Sequence, residues 1–334
     1  MTNKYFTYLL LTTISLFLLA LLSFVIQPRY ETSFNKGESI FDNIQDKLNN
    51  IKEISIDNNR NKISIIKDNN NWYMSSKSNY KVKNEVVRRN LIQISELRFF
   101  EKKTKEEFLY SRLDLDYPNN EEGDSKLVSI INNEDKTLIE FVLGKRKKNG
   151  VYIKKLNDQQ TWLTSGILEM SSIENDWLET LILNIEYKDV KRVSIIQQNQ
   201  KDSFSLEKDE NNENLKINDL NKDQLPKSDL IANFLGYYFS NLIFEDVTKR
   251  KSLENSNIVT KIKFELFDDI NIFAVIFNEN KDKWINIDID NKSGINLQEN
   301  GKLLVSNVEN WSYKLPSTKY NVSDTTLENL LVED

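Results

Sequence analysis

The chain has 334 residues, 45 basic and 51 acidic side chains and a formal net charge of −6, with no cysteine and no histidine. Those absences exclude disulfides, thiolate nucleophiles, imidazole triads and Cys- or His-ligated metal sites, which leaves any catalysis to carboxylates, Lys, Tyr, Ser or Thr. No long basic block is present and the lysines are interspersed with acids, which argues against nucleic acid as a partner.

The first apolar run, Phe6 to Ile26, carries no charge, and Thr7, Thr12, Thr13, Ser15 and Ser23 are its polar members. As a helix rising 1.5 Å per residue it would reach roughly 30 Å, the thickness of a hydrocarbon core. This predicts an N-terminal transmembrane helix that stops near Gln27, because Pro28 disfavours helix at the residue before it. A cleaved signal peptide is the alternative, but the run ends Ser23-Phe-Val-Ile-Gln-Pro28 without a small-residue cleavage pattern, so an uncleaved anchor is expected. A short tail precedes it and a bulky polar segment follows, a layout that places the C-terminal bulk outside the cytoplasm.

After the anchor, Lys36 to Asn49 reads as a short helix capped by Ser39, with Ile40, Phe41, Ile44 and Leu48 on one face. Strand-prone segments follow at Ile51–Ile56, Lys62–Ile66 and Asn71–Met74, separated by Asn- and Asp-rich turns. A helix is predicted from Asn84 to Leu97, with Val87, Leu91, Ile94 and Leu97 at helical spacing. Two hairpins come next, Lys126–Ile131 with Thr137–Leu143 and Val151–Lys154 with Thr161–Leu163. Ser171 and Glu174 have capping-box spacing ahead of a helix over Trp177–Leu183.

The second half repeats this order. Val190–Ile195 resembles Ile51–Ile56, Ser203–Lys208 echoes Lys62–Lys67, and a helix is expected over Asp229–Leu242. Leu242–Lys249 then lines up with Leu97–Thr104. Lys261–Leu266 and Trp284–Asp290 alternate apolar and polar residues, the pattern of antiparallel sheet with one buried face. A closing helix is expected over Asp324–Leu331. The fold class predicted is α+β: an N-terminal transmembrane helix followed by two tandem repeats of an antiparallel-sheet-plus-helix unit. The divisions expected are 1–28 for the anchor, 29–50 for a juxtamembrane helix, 51–188 and 189–320 for the repeats, and 321–334 for a C-terminal helix.

Few residues point to chemistry. Asp288 and Asp290 form a D-x-D pair, but Lys292 and Ser293 break an EF-hand pattern, and alternation with Ile287 and Ile289 puts both carboxylates on the wet face of a strand. Asp114 and Asp116 precede Tyr117-Pro118 and read as a turn rather than as metal ligands. Gly144-Lys-Arg-Lys-Lys148 lacks the second glycine and the Lys-Ser/Thr of a phosphate loop and reads as a charged hairpin loop, with contact to lipid phosphate or an acidic partner as the alternative. Trp72, Trp162, Trp177, Trp284 and Trp311 sit at element starts, where core anchoring is favoured over a sugar-stacking platform. No catalytic, cofactor or metal residues are assigned, and no enzyme activity is expected.

Several of these pieces in order resemble a known family. They are Gly37–Phe41, Ile51–Ile56, Asn71-Trp72, Tyr80, Glu101–Thr104, Leu113-Asp-Leu-Asp-Tyr-Pro118, Leu143-Gly-Lys-Arg146 and Trp162-Leu-Thr-Ser-Gly166, with Trp177-Leu178, Asp246-Val247 and Trp311–Pro316 beyond. Together they look like the bacterial domain-of-unknown-function family numbered 4340. The resemblance implies an inner-membrane-anchored, single-pass periplasmic protein that accompanies gliding-type ABC transporter components, and it supplies no catalytic residues. The function expected is therefore an extracytoplasmic accessory or scaffold protein of an envelope ABC transport complex, bound to the inner membrane through residues 6–26 and to a permease or auxiliary subunit. A periplasmic binding module for envelope glycan or lipid is the alternative, and a carboxylate-dependent hydrolase a remote one.

Overall fold

The computed structural model describes residues 3–26, 37–42, 44–119, 123–208, 213–254, 256–294, 296–303 and 307–332. Helix α1 (Asn3–Ile26) covers the first apolar run. Among the described residues, however, no helix is long and apolar enough to cross a membrane, and this overturns the transmembrane helix expected over 6–26. Hydroxyls interrupt the apolar run, and those of Thr12 and Thr13 bond back to the carbonyls of Tyr8 and Leu9. The stop at Pro28 and the start of the juxtamembrane helix, residues 27–36, lie outside the described residues.

The α+β class is corrected as well. Strand accounts for 40% of the chain against 24% helix, and apart from α1 and one crossover helix the helical pieces are short, so the architecture is antiparallel β. Among the described residues of the helix expected over 36–49, only α2 (Ile44–Lys47) and one 3-10 turn form. Ser39 is not a cap: it bridges to Arg98, and Gly37 N and Ile40 N donate to the carbonyls of Phe99 and Leu97. The segment is drawn into a sheet edge because Ile40, Phe41 and Ile44 become buried there.

The first unit then runs through β1 (Ile51–Asp57), β2 (Lys62–Asp68), β3 (Asn71–Met74), β4 (Tyr80–Lys81), α3 (Asn84–Glu96), β5 (Arg98–Lys102), β6 (Lys126–Asn132), β7 (Thr137–Lys147), β8 (Gly150–Lys155) and β9 (Thr161–Ser165). Its antiparallel sheet has the order β4-β3-β2-β1-β6-β7-β8-β9-β5. Alternation builds it: Ile54 and Ile56 of β1, Ile63 and Ile65 of β2, and Val128 and Ile130 of β6 all face inward. Helix α3 carries Val87, Leu91 and Ile94 onto the same core.

The second unit runs through β10 (Leu181–Leu183), β11 (Val190–Gln197), β12 (Phe204–Glu207), β13 (Lys216–Ile217), α4 (Asn233–Gly236), β14 (Leu242–Ile243), β15 (Asp246–Lys249), β16 (Asn257–Leu266), β17 (Ile270–Glu279), β18 (Asp282–Asn291), β19 (Trp311–Lys314), α5 (Tyr320–Asp324) and α6 (Leu327–Leu330). Its large sheet has the order β13-β12-β11-β16-β17-β18-β19-β15, the order of the first unit strand for strand once β4 is set aside. The lead-in repeats too: β10 pairs with β14 as residues 37–40 pair with 97–99.

Three expected helices are shortened or replaced. Trp177–Leu183 is not helical; its end is β10, held by pairing with β14. Over 229–242 only α4 is helical, and the preceding turns close with i→i+3 bonds such as Ile231 N to the Ser228 carbonyl. Glycine, aromatic and β-branched residues favour helix weakly there, and Gly236 lies so close to the Tyr187 ring that a Cβ would sit 2.6 Å from Cε2. The closing helix over 324–331 is shortened to α6, which has a Thr326/Asn329 capping box, and α5 ends at the first residue of that span.

In both units the return from the sheet edge to its centre crosses the outer face. In the first, residues 107–118 seat Tyr110 and Leu115 on Val142. In the second, Lys251 lies 4.0 Å from the Trp284 ring centroid, and its backbone N–H donates to Ser312 Oγ.

Candidate functional site

The two units meet where β4 faces the start of the second unit. Val82 bridges to Leu178, and Lys83 N donates to the Trp177 carbonyl at 2.8 Å. Tyr80 points across the junction, with its ring edge-on to Trp311 (centroids 4.9 Å apart) and Phe244 (5.4 Å). Its hydroxyl donates to the Glu179 carbonyl at 3.1 Å. Burial, with Tyr313 beside it, pushes the Tyr80 phenol well above its ordinary pKa.

Lys77 follows β3 on a 3-10 turn and sits between Glu174 and Asp246, 2.8 Å from each. Burial works against its charge, but the hydrogen bonds to Asp246 and Glu174 outweigh it and raise the ammonium pKa above the ordinary lysine value. Asn175 Nδ2 donates to the Glu245 carbonyl at 2.7 Å on the same side.

A cleft of about 270 Å³ opens beside this junction, lined by Asn71, Asn79 and Lys81 from the first unit and by Lys249, Asn310 and Trp311 from the second. Glu179 is the one carboxylate in its lining. Two ammonium groups and several amides suit a polar, hydrogen-bonding ligand with negative charge. The Trp311 indole is not an open stacking face: Lys249 Nζ lies 4.2 Å from its ring centroid, and the residue is 8% exposed. Trp72, Trp162, Trp177 and Trp284 are buried as well.

The residues singled out in the sequence do not converge here. Asp288 pairs with Arg250 at 2.7 Å, and Asp290 lies 3.6 Å from Lys292, both on β18 away from the junction. Among the described residues no three acidic side chains gather to hold a metal ion. Asp114 takes a left-handed backbone conformation (φ 53°) and lies 3.5 Å from Lys145, while burial, with Asp114 and Glu107 nearby, raises the Asp116 carboxyl. The Gly144–Lys148 run meets that same turn. A Cβ on Gly144 would stand 2.2 Å from the Leu113 carbonyl oxygen, so glycine is required by close approach. Arg146 lies 3.5 Å from Glu169, so the basic run is partly neutralised by its own fold.

Sequence reasoning missed Lys77 and a pair of matching asparagines. Asn84 Oδ1 accepts from Trp72 N at 3.2 Å, and its Nδ2 donates to Asn71 Oδ1. Asn233 does the same in the second unit, accepting from Leu215 N at 3.0 Å and donating to Asn214 Oδ1 at 2.9 Å. An asparagine recurring just ahead of each crossover was the available signal.

Comparison with known proteins gives one match: the family model described as Domain of unknown function (DUF4340) covers residues 72–256, from β3 of the first unit to the brink of β16 in the second. No curated protein and no solved structure matches the chain. The matched segment spans more than half of the sequence and includes β4, most of the cleft lining and both Asn84 and Asn233, and the chain therefore belongs to the family Domain of unknown function (DUF4340).

Proposed function

We propose that this chain is an extracytoplasmic accessory or scaffold subunit of an envelope ABC transport complex and acts by binding other proteins. The observation that carries the reading is the surface of α1. Leu9, Leu10, Leu11, Leu16, Phe17 and Leu19 are each more than half exposed, a largely apolar surface that needs cover from another molecule. Two duplicated sheet units with filled cores suit a rigid scaffold held beside such a partner. The assignment to an ABC transport complex rests on the family resemblance. Tagged full-length chain purified from its native envelope in mild detergent is expected to carry a permease or ATPase subunit with it. Recovery of folded chain without either overturns the reading.

The cleft at the junction favours a second reading, a binding module for an acidic envelope glycan or lipid head group. Lys81 and Lys249 supply the positive charge and Asn79 and Asn310 the amides. Loss of binding to immobilised acidic glycan in Lys81→Ala/Lys249→Ala, with unchanged unfolding, supports it. Equal binding by variant and parent removes it.

A further inference from the structure

The two units carry the same backbone clasp at one sheet edge, but only in the first does the clasped segment also pair with the strand beside it. In the first unit Lys83 N donates to the Trp177 carbonyl (2.8 Å) and Glu179 N to the Lys81 carbonyl. In the second, Lys227 N donates to the Leu330 carbonyl (2.9 Å) and Val332 N to the Leu225 carbonyl (2.9 Å). Val82 bridges to Leu178 as Pro226 bridges to Leu331. Register makes β13 the counterpart of β3: Ile65 faces Met74 across one hairpin and Leu206 faces Ile217 across the other, so Met74 corresponds to Ile217 and Trp72 to Leu215.

The difference lies between those elements. In the first unit β4 zips onto β3: Val82 N donates to the Trp72 carbonyl at 2.8 Å and Asn79 N to the Met74 carbonyl at 3.0 Å. In the second, residues 224–226 stand off from β13, and among the described residues no donor reaches the Leu215 or Ile217 carbonyl. Asn218 N bonds back to the Ser205 carbonyl, so antiparallel alternation turns the N–H and C=O of Ile217 away from β12. They face a groove of about 400 Å³ lined by Leu215, Ile217, Pro226, Ser228, Ile231 and Ala232. Leu225, Leu230, Phe234 and Val332 add exposed apolar side chains on this stretch of the unit.

We propose that this groove receives an extended segment of a partner protein, which adds as a strand to β13 and occupies the place that β4 fills in the first unit. The proposal rests on the protein-binding reading and names its site. The incoming segment donates to the Leu215 and Ile217 carbonyls, accepts from Ile217 N–H, and turns alternate apolar side chains onto the partly exposed Ile217 and Ile231. A bare edge with unpaired backbone groups is the surface that such addition uses.

The probe is a synthetic peptide of residues 77–85, the chain's own filler of the equivalent place. Added to the full chain, it is expected to slow amide exchange across residues 214–218 by about tenfold or more, with residues 79–83 of the chain unchanged. Ile217→Pro removes the outward donor while leaving the β12-facing bonds, and Ser228→Trp plugs the groove without touching the strand; both are expected to abolish the slowing. In envelope purifications each variant is expected to lose its partner about tenfold or more, and the parent complex to show the same protection at 214–218. Protection that grows with chain concentration alone, no protection with peptide or partner, or equal protection in both variants overturns the proposal. If variants without protection still bring down the ABC subunits, the accessory reading stands and the groove is excluded as its contact.

Discussion

Replacing Gly144 by alanine tests how the outer-face crossover of the first unit is held. The added Cβ would lie 2.2 Å from the Leu113 carbonyl oxygen, 2.8 Å from that of Asp114 and 2.9 Å from Leu115 Cδ2. Two of these neighbours are backbone, so the 113–115 turn must move outward by about 1 Å to restore van der Waals contact. That turn seats Leu115, which is 1% exposed, against Tyr110 and Val142, and Tyr110 Oη is tied to the Gln159 carbonyl at 2.6 Å. Overpacking costs about 1–3 kcal/mol and partial unseating of Leu115 adds a share of its burial energy, about 1.5–3 kcal/mol when complete. A total of about 3 kcal/mol lowers Tm by about 6–12 °C in a unit of this size. Differential scanning calorimetry of two controls isolates the cause. Gly123→Ala, whose Cβ meets nothing within 4 Å, and Lys145→Ala, which removes a half-exposed ion pair to Asp114, should each stay within about 1 kcal/mol of the parent. If Gly144→Ala melts with the controls, the turn is not packed on Gly144 and the account of this crossover fails.

Two further outcomes follow from the cores. Tyr80, Tyr238 and Tyr313 are buried, and burial raises each phenol above its unfolded value. Their contribution is therefore complete below pH 10 and is lost as pH rises towards the folded values, each adding a slope of about 1.4 kcal/mol per pH unit. Tyr238 Oη has no hydrogen-bond partner among the described residues, so Tyr238→Phe should leave the urea midpoint at pH 7 unchanged or higher and remove one such slope above pH 10; a lower midpoint at pH 7 contradicts this. Asn233→Ala strips acceptors from Leu215 N–H and the Tyr187 hydroxyl and a donor from Asn214, and should cost about 2–3 kcal/mol by urea denaturation, with Asn84→Ala costing less because Asn84 makes two bonds rather than three.

The strands were legible because a half-buried strand has one requirement, alternation, and Ile54/Ile56, Ile63/Ile65 and Lys261–Leu266 meet it locally. The helices were not, because apolar spacing alone does not distinguish a helix from a run of turns or a pairing strand. Leu181, Ile182 and Leu183 read as helix, yet they pair as a strand with Leu242–Ile243, about 60 residues on, which no local pattern announces. Leu235, Tyr238 and Leu242 are buried where a helix would bury them, but Gly236 packs on Tyr187 and the chain turns there. Phe6–Ile26 fits a span by length, and length does not measure the hydroxyls within it. At the junction, Lys77 is one lysine among many until Glu174 and Asp246 arrive from elements far apart in sequence.

The open groove has a cause in where the chain is helical. The crossover is helical over 13 residues in the first unit (Asn84–Glu96) and over four in the second (Asn233–Gly236). The chain must still pass from one sheet edge to the other, with less helix to supply the reach. The second unit recovers that reach before the helix: Val82 stands two residues ahead of Asn84, but Pro226 stands seven ahead of Asn233. The clasp-to-strand distance is nearly conserved, 15 residues from Val82 to Leu97 and 16 from Pro226 to Leu242. What changed is where the chain is stiff. A helix beginning directly after the clasp holds residues 80–82 against β3, whereas the 228–232 turns let 224–226 stand away from β13. Shortening the crossover helix and opening the edge are thus one event, and a variant of the second unit that restored the helix in place of the turns would be expected to close the groove.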